Sequence, residues 1–512
     1  MASADKPQAI LFVSHHGQLQ RFALIAAELR QRFQITTLLW TLGADDAQAG
    51  SATGGFNEVV NLIEGFDRFA RRDAEGDSRN LLLLLQYERE CGRTCYHEDA
   101  ALDRSLIGFT DAEVNFYRMK QRWTPSQIAA MAACLLDKAV DHLQRFRVLV
   151  SVGEANTLPY RLVHRLLKTR GIDHLYPTEL PHAGGRMYFE ESLEGSWTRC
   201  RETYLRFLAE RIPADARAFA ESALGDIVHR HAKPEYFVRG RRGARGWSKR
   251  LAPARMVDAW REWRKAGTGE AQSNPRSIPP ELLSPWGRWR RGLEVSRRRR
   301  YYERVATRTL PEQRFACYFL HVQPEYTVEG LAFEYQDQVA LARNLVAALP
   351  ADMVLLVKEH KPEAGRRSVH FYGELASIPN VVLLHDSLDS VDVAKQARLV
   401  LTLTGTIALE AMCLGVPCVM FGNFYYEQFH GIYKARSITH FREMMACPEK
   451  LVAASREEAI AALAARYAVA HPAAYPGVEG DRNNAARLAD ALEQEMRWRG
   501  IALSPQKSCE RA

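Results

Sequence analysis

Two rhythms of apolar and polar positions run through this chain, and their alternation predicts most of its elements. Residues 8–14, QAILFVS, form a short continuous apolar run, and the segment LQRFALIAAELRQRF at 19–33 repeats its apolar positions at helical spacing. A second apolar run, QITTLLW, follows at 34–40. Strand, amphipathic helix, strand is the pattern of a parallel sheet covered by helices. It recurs in SQIAAMAACLLDKAVDHLQRF at 126–146, which leads into the strand RVLVSV and then a loop and helix in GEANTLPYRLVHRLLKTRG. Residues 65–125 follow neither rhythm clearly and receive no assignment.

The pattern dissolves between 240 and 310 and then restarts. RFACYFLHVQPE reads as a strand, EYQDQVALARNLVAALP as a helix and MVLLVKEH as a strand. NVVLLHD, a short helix, RLVLTLT, a helix beginning at Gly405 and PCVMFG complete the second series. The expected fold is α/β: two Rossmann-like domains whose strand ends aim loops into a common cleft. The expected boundaries are 1–235 for a first α/β domain, 236–310 for a basic linker, 311–450 for a second α/β domain, and 451–512 for C-terminal helices and a tail, with the helical stretch at about 455–498 crossing back over the junction. No internal repeat has a fixed period.

Composition changes the picture in one place. A chain of 512 residues, 47% hydrophobic and 25% charged, has the balance of a globular protein with two cores. The apolar run near the N-terminus is too short for a signal-peptide core, and no later run approaches membrane-spanning length, so the expected location is cytoplasmic. The nine cysteines lack metal-ligand spacing and read as reduced thiols; Cys91 and Cys95 are the nearest pair, and no histidine or further cysteine completes a metal site there. The net charge of +8 is concentrated: residues 241–300 hold 17 Arg and Lys against 5 Asp and Glu, a local +12 that leaves −4 on the remainder. The same segment holds Trp247, Trp260, Trp263, Trp286 and Trp289, five of the nine tryptophans. Indoles settle at the headgroup level of a bilayer while arginines meet anionic lipid, so a peripheral membrane contact is one reading. A solvated linker whose indoles pack on the domains is another. Nucleic acid is not expected, because no recognition motif accompanies the basic stretch.

Three strand ends carry candidate chemistry. In LTLTGTIALEAMCLGVPCVMFG, at 401–422, a strand gives way to a glycine and then a helix, which presents backbone N–H groups and a positive dipole end to a phosphate. Thr404 and Thr406 add hydroxyls, Gly405 permits close approach, and Glu410 lies one turn deeper, able to accept bonds from two sugar hydroxyls. The plainer alternative has Thr404 capping a buried helix and Glu410 reaching solvent. In VKEHKPEAG, strand alternation sends Lys358 and His360 to one side, where an ammonium and an imidazole can meet the phosphate of a leaving nucleotide. A solvated strand end is the alternative there. In HVQPEYTVEG, Gln323 and Glu325 flank Pro324, and Glu325 can serve as a general base, hold an acceptor sugar, or cap the next turn. The first domain offers His15, His16 and Gly17, and then Gly153, Glu154 and Asn156, as acceptor-side loops. Glu154 is the candidate base among them.

Taken together, YFLHVQPE, VKEHKP and TLTGTIALEAMCLGVPCVMFG, at these separations, resemble the capsule polysaccharide biosynthesis family of bacterial glycosyltransferases, which includes Kdo-transferring enzymes. The resemblance is good over 315–430 and weaker in the first domain, where RMYFEESLEGSW is a loose echo. It implies a GT-B transferase that uses a nucleotide-sugar, CMP-Kdo or similar, as substrate, with no separate cofactor and no structural metal. It also implies a capsule glycan or lipid acceptor at the inner face of the cytoplasmic membrane. His360 and Lys358 would then sit on the donor phosphate, Thr404 and Thr406 beside it, and Glu410 on the ribose. This sequence departs from the family pattern in placing Lys361 between the histidine and Pro362. A sugar-nucleotide epimerase and a non-catalytic assembly or export component of the capsule machinery are the competing functions.

Overall fold

The computed structural model describes residues 6–14, 16–66, 74–103, 123–154, 156–232, 285–323, 325–477 and 480–506. Two six-stranded sheets organise them. The first comprises β1 (Gln8–Val13), β2 (Thr36–Thr41), β3 (Glu58–Asn61), β4 (Arg147–Gly153), β5 (Asp173–Glu179) and β6 (Met187–Glu190), in the order β3-β2-β1-β4-β5-β6. All its pairings are parallel except β5 with β6, where Tyr176 lies opposite Glu190. The second comprises β7 (Arg314–Phe319), β8 (Met353–Lys358), β9 (Val381–Leu384), β10 (Leu399–Thr402), β11 (Cys418–Met420) and β12 (Ile432–Lys434). It is parallel throughout, in the order β12-β11-β10-β7-β8-β9.

These strands are short apolar runs because helices cover both faces of a parallel sheet, leaving no solvated side for polar residues. Ala9 to Val13 are all buried, as are Phe315 to Phe319 and Leu355 to Val357. Each sheet reverses direction between its first and fourth strand, β1/β4 and β7/β10, and the two together form the two-domain GT-B arrangement of Rossmann-like sheets around a cleft.

Local signals account for the helices. Pro125–Leu143 starts with Pro125 in its first turn and a capping box between Thr124 and Gln127. Arg456–Val469 starts on the same device, Ser455 with Glu458. The region without an assignment contains two further helices, Ala74–Cys91 and Tyr96–Leu102, tied down by Asp99, whose carboxylate is buried against Arg161 and Arg165. After the second sheet the chain returns to the first: Leu488, Ala489, Leu492 and Met496 of the helix Arg482–Trp498 share a core with Phe22, Ile25 and Leu29. No helix among the described residues is long and apolar enough to cross a membrane. Trp247, Trp260, Trp263 and residues 236–284 of the basic linker lie outside the described residues.

Contact between the two halves runs through the edge of the first sheet. The Arg466 guanidinium donates to the Pro181 carbonyl at 2.7 Å and to Tyr425 Oη at 3.1 Å, and Tyr326 Oη donates to the Leu193 carbonyl at 3.3 Å. Leu180, Tyr188 and Trp197 pack into one apolar cluster with Ala408, Tyr425 and Tyr426. The strand β6 is therefore the part of the first sheet that faces the second.

Candidate active site

Between these halves lies a cavity of about 520 Å³. Its second-sheet wall is made by the C-terminal ends of β7, β8 and β10: Phe319 to Val322, Lys358 to Lys361, and Thr402 with Thr404 to Ile407. Glu325 to Thr327, Leu331, Asp386 to Ser390, Glu410, Phe424 and Tyr426 complete it. The opposite wall is Thr178, Glu179, Pro181, Tyr188 and Glu190, from the ends of β5 and β6. The second-sheet wall sits at that sheet's reversal point, β7/β10, where open α/β sheets bind ligands.

Strand alternation orders the VKEH segment. Lys358, Glu359 and His360 all border the cavity, and the Glu359 carboxylate is bonded to its own wall, accepting from Arg367 at 2.9 Å and from Tyr372 Oη at 3.0 Å. Burial lowers the Lys358 ammonium from its usual value. Burial also drives the His360 imidazole down to about 4, with Arg367 and Lys358 adding to the effect. The expected convergence of these two residues is present, but the ring is neutral near pH 7. It can offer a phosphate an N–H group, not a positive charge.

A second histidine shapes the wall. Burial pushes His321 down to about 3, so its ring is neutral too. Its Nε2 accepts the backbone N–H of Leu403 at 3.1 Å and lies 2.8 Å from Thr402 Oγ1, which in turn accepts the Gly405 N–H at 3.3 Å. The helix expected from Gly405 consequently starts later, at Ile407 with Thr406 as N-cap, and residues 403–406 form a turn pinned by His321 and Thr402. Gly405 is required by this packing: a Cβ there would stand 2.9 Å from Thr402 Oγ1 and 3.2 Å from His321 Cε1. Thr404 does not cap the helix; its hydroxyl donates to the Thr327 carbonyl at 3.0 Å. Glu410 does not reach solvent either. It is buried, lines the cavity and stands 3.7 Å from Nε2 of His182, which comes from the first half of the chain.

Glu325 precedes the helix Tyr326–Glu329 without capping it by its side chain, which removes one of its three readings. Its carboxylate accepts from Thr327 Oγ1 at 3.1 Å, deep in the cleft but open to the lumen, and burial among protein atoms raises its pKa.

Two expected site residues lie elsewhere. Gln323 is turned under the wall, where its amide donates to the Gln336 carbonyl at 2.8 Å and accepts from Gln338 at 2.7 Å. It supports the wall and does not line the cavity. Glu154 lies at the end of β4, where it accepts from Gln18 at 2.5 Å, outside the cavity lining. The reason is topological: the first sheet meets the second through β5 and β6, not through β1 and β4. His16, Gly17, Gly153 and Asn156 are likewise outside the lining, and His15 lies outside the described residues.

The carboxylate that the first sheet does supply is Glu190. It is buried on β6, accepts from Tyr188 Oη at 2.8 Å, and is raised by burial to about 7. A carboxyl poised near neutrality across a cleft from an ammonium and two imidazoles is suited to proton transfer. RMYFEESLEGSW contains it, but two adjacent glutamates at the end of a short strand carry no signal of which one is buried.

Comparison with known proteins gives a family match over part of the chain. The model of the capsule polysaccharide biosynthesis protein family matches residues 327–469. No curated protein matches the sequence. Among solved structures, the beta Kdo 2,7 transferase of Thermosulfurimonas dismutans KpsC aligns at 16% identity and a TM-score of 0.23, over 33% of this chain and 53% of that one. The chain thus spans about half the length of that structure. The beta Kdo 2,4 transferase of the same KpsC aligns at 14% identity and 0.27, over 63% and 80%. UDP-GlcNAc 2-epimerase from Neisseria meningitidis, bound to UDP-GlcNAc, aligns at 11% and 0.25, over 89% and 97%. Scores this low carry no argument about function. The family match covers Glu410, the 402–406 turn, Lys358 and His360, so the resemblance to the capsule polysaccharide biosynthesis family holds over residues 327–469, the segment that builds most of the cavity's second-sheet wall.

Proposed function

We propose that this cleft binds a nucleotide-sugar, CMP-Kdo or a relative, and transfers the sugar to a capsule glycan or its lipid-borne acceptor. One observation carries the reading: Lys358, His360, the 402–406 turn and Glu410 from the second half share one cavity with Glu190 from the first. Lys358, the N–H of His360 and the hydroxyl of Thr406 hold the donor phosphate, and Glu410 takes the ribose hydroxyls. Glu190 receives the proton of the acceptor hydroxyl as its oxygen bonds the anomeric carbon. The bond from that carbon to the phosphate oxygen breaks, and the charge left on the nucleotide is stabilised by Lys358 and the surrounding dipoles in a water-poor site. Glu325, on the lumen side, orients the acceptor. A protein working on such an acceptor meets it at the inner face of the cytoplasmic membrane.

Purified protein incubated with CMP-Kdo and with common UDP-sugars, with and without acceptor, tests this. The expected result is nucleotide release with a glycosylated product, only when acceptor is present. Donor converted to an isomer without acceptor would establish an epimerase instead, and absence of both turnover and nucleotide binding would remove the reading altogether.

A further inference from the structure

The helix Pro285–Val305 belongs to neither sheet and carries eight arginines against two glutamates. One of its faces is bonded to the rim of the cleft. Arg298 donates to the Arg366 carbonyl at 2.9 Å, Arg299 pairs with Asp386 at 3.0 Å, and Tyr302 Oη donates to the Leu384 carbonyl at 3.0 Å. Asp386 lines the cavity itself.

The opposite face is different in kind. Trp286, Arg290, Leu293, Arg297, Arg300 and Arg304 recur at alternating spacings of four and three, and all six are exposed, Trp286 by 68% and Leu293 by 52%. At the rotation of an α-helix they fall in one stripe about 80° wide and about 27 Å long. The helix's own carboxylates are turned away from it: Glu294 pairs with Arg298, and Glu303 with Arg299. Four guanidiniums therefore face outward in a row with no acid among them, interrupted only by a leucine and headed by an indole. A merely solvated face has no use for an exposed tryptophan and leucine in register with its charges.

We propose that this stripe docks on an anionic phospholipid surface, with Arg290, Arg297, Arg300 and Arg304 on lipid phosphates and Trp286 and Leu293 at the headgroup level. Guanidinium forks match phosphate oxygens in pairs, and indoles favour the interfacial zone. Because the helix's other face holds the loop at Asp386, docking brings the rim of the cleft to the bilayer, within reach of a lipid-borne acceptor. That consequence rests on the transfer reading above; the docking itself does not.

Sedimentation of the full-length protein with vesicles decides it, read without donor or acceptor so that the outcome is independent of any transferase assay. The protein is expected to bind phosphatidylcholine vesicles containing roughly one-third phosphatidylglycerol, not phosphatidylcholine alone, and to be released by salt. The quadruple variant R290Q/R297Q/R300Q/R304Q lowers the partition coefficient on the order of several hundredfold, and Trp286→Ala lowers it by a smaller factor. Both retain the parental melting temperature, since these side chains face solvent. Three results would each overturn the proposal: no binding to anionic vesicles, a quadruple variant that binds as tightly as the parent, or a parent that prefers a DNA or RNA oligonucleotide to anionic vesicles at the same salt.

Discussion

The two sheets have the same strand order and opposite uses of it. Each reverses at the gap between its first and fourth strand, where backbone groups at strand ends are free to meet a ligand. In the second sheet, that gap is the wall of the cavity: His321 and Thr402, from the ends of β7 and β10, are bonded to each other across it. In the first sheet, the gap at β1/β4 is closed over by its own chain. Glu154 bonds Gln18, and the Arg21 guanidinium stacks 5.4 Å from the Tyr475 ring, delivered by the returning C-terminal segment. The first sheet works through its antiparallel edge instead, where β6 carries Tyr188 and Glu190 to the cleft. Topology thus offers a site at each reversal point, and the packing of the remaining chain decides which is kept.

The sharpest way to break this contrast is to remove a carboxylate from each side. Glu190→Gln is expected to cut turnover about a hundredfold to ten-thousandfold, the usual range for loss of a general base, whereas Glu154→Gln leaves it within about twofold. Equal effects in steady-state kinetics would put the acceptor at β1/β4 and not at β6. On the second-sheet side, His360→Ala is expected to lower kcat by at least about a hundredfold, with a smaller change in KM, if its N–H acts on the developing phosphate charge.

The pH profile sharpens the assignment of the base. A carboxyl that must be deprotonated to work, and whose pKa is raised by burial to about 7, gives a rate that climbs through pH 7 and levels above it. Glu190→Gln abolishes that limb along with most of the rate. The same group leaves a mark on stability. Its folded pKa lies above the unfolded value of 4.5, so the folded state holds the extra proton between the two. The cost of ionising it is absent below 4.5, grows as pH rises through that window, and is complete above about 7, at roughly 3 kcal/mol. Denaturant titrations of the parent and of Glu190→Gln at pH 5 and 8 are expected to differ by a decline that only the parent shows.

A smaller effect probes the turn. Gly405→Ala places a methyl 2.9 Å from Thr402 Oγ1, and either that hydroxyl or His321 must give way. The expected loss is about 1–3 kcal/mol, visible as a lowered melting temperature, together with weakened nucleotide binding because the pinned N–H groups shift.

Much of the second half was legible in advance because its strands are continuous apolar runs that end abruptly in polar residues, and a strand's period of two sorts those residues by side. Lys358 and His360 on one side with Glu359 on the other follow from that period alone. Gln323 broke the expectation because a buried amide is drawn to whatever partners lie in range, here Gln336, Gln338 and Arg367, none close in sequence. The start of the helix after Thr404 was misplaced because the bond that delays it comes from His321, some eighty residues earlier.

By itself the sequence determined the α/β class, the strands, the paired strand-end residues of the second half and the arginine-rich stretch, because each depends on local periodicity or composition. Only the tertiary structure decided that β6 and not β4 faces the cleft, that Glu190 is buried to a near-neutral pKa while Glu191 beside it pairs with Arg499, and that both cleft histidines are uncharged. Burial and long-range pairing set those properties. They depend on which elements pack together, which no short window of residues contains.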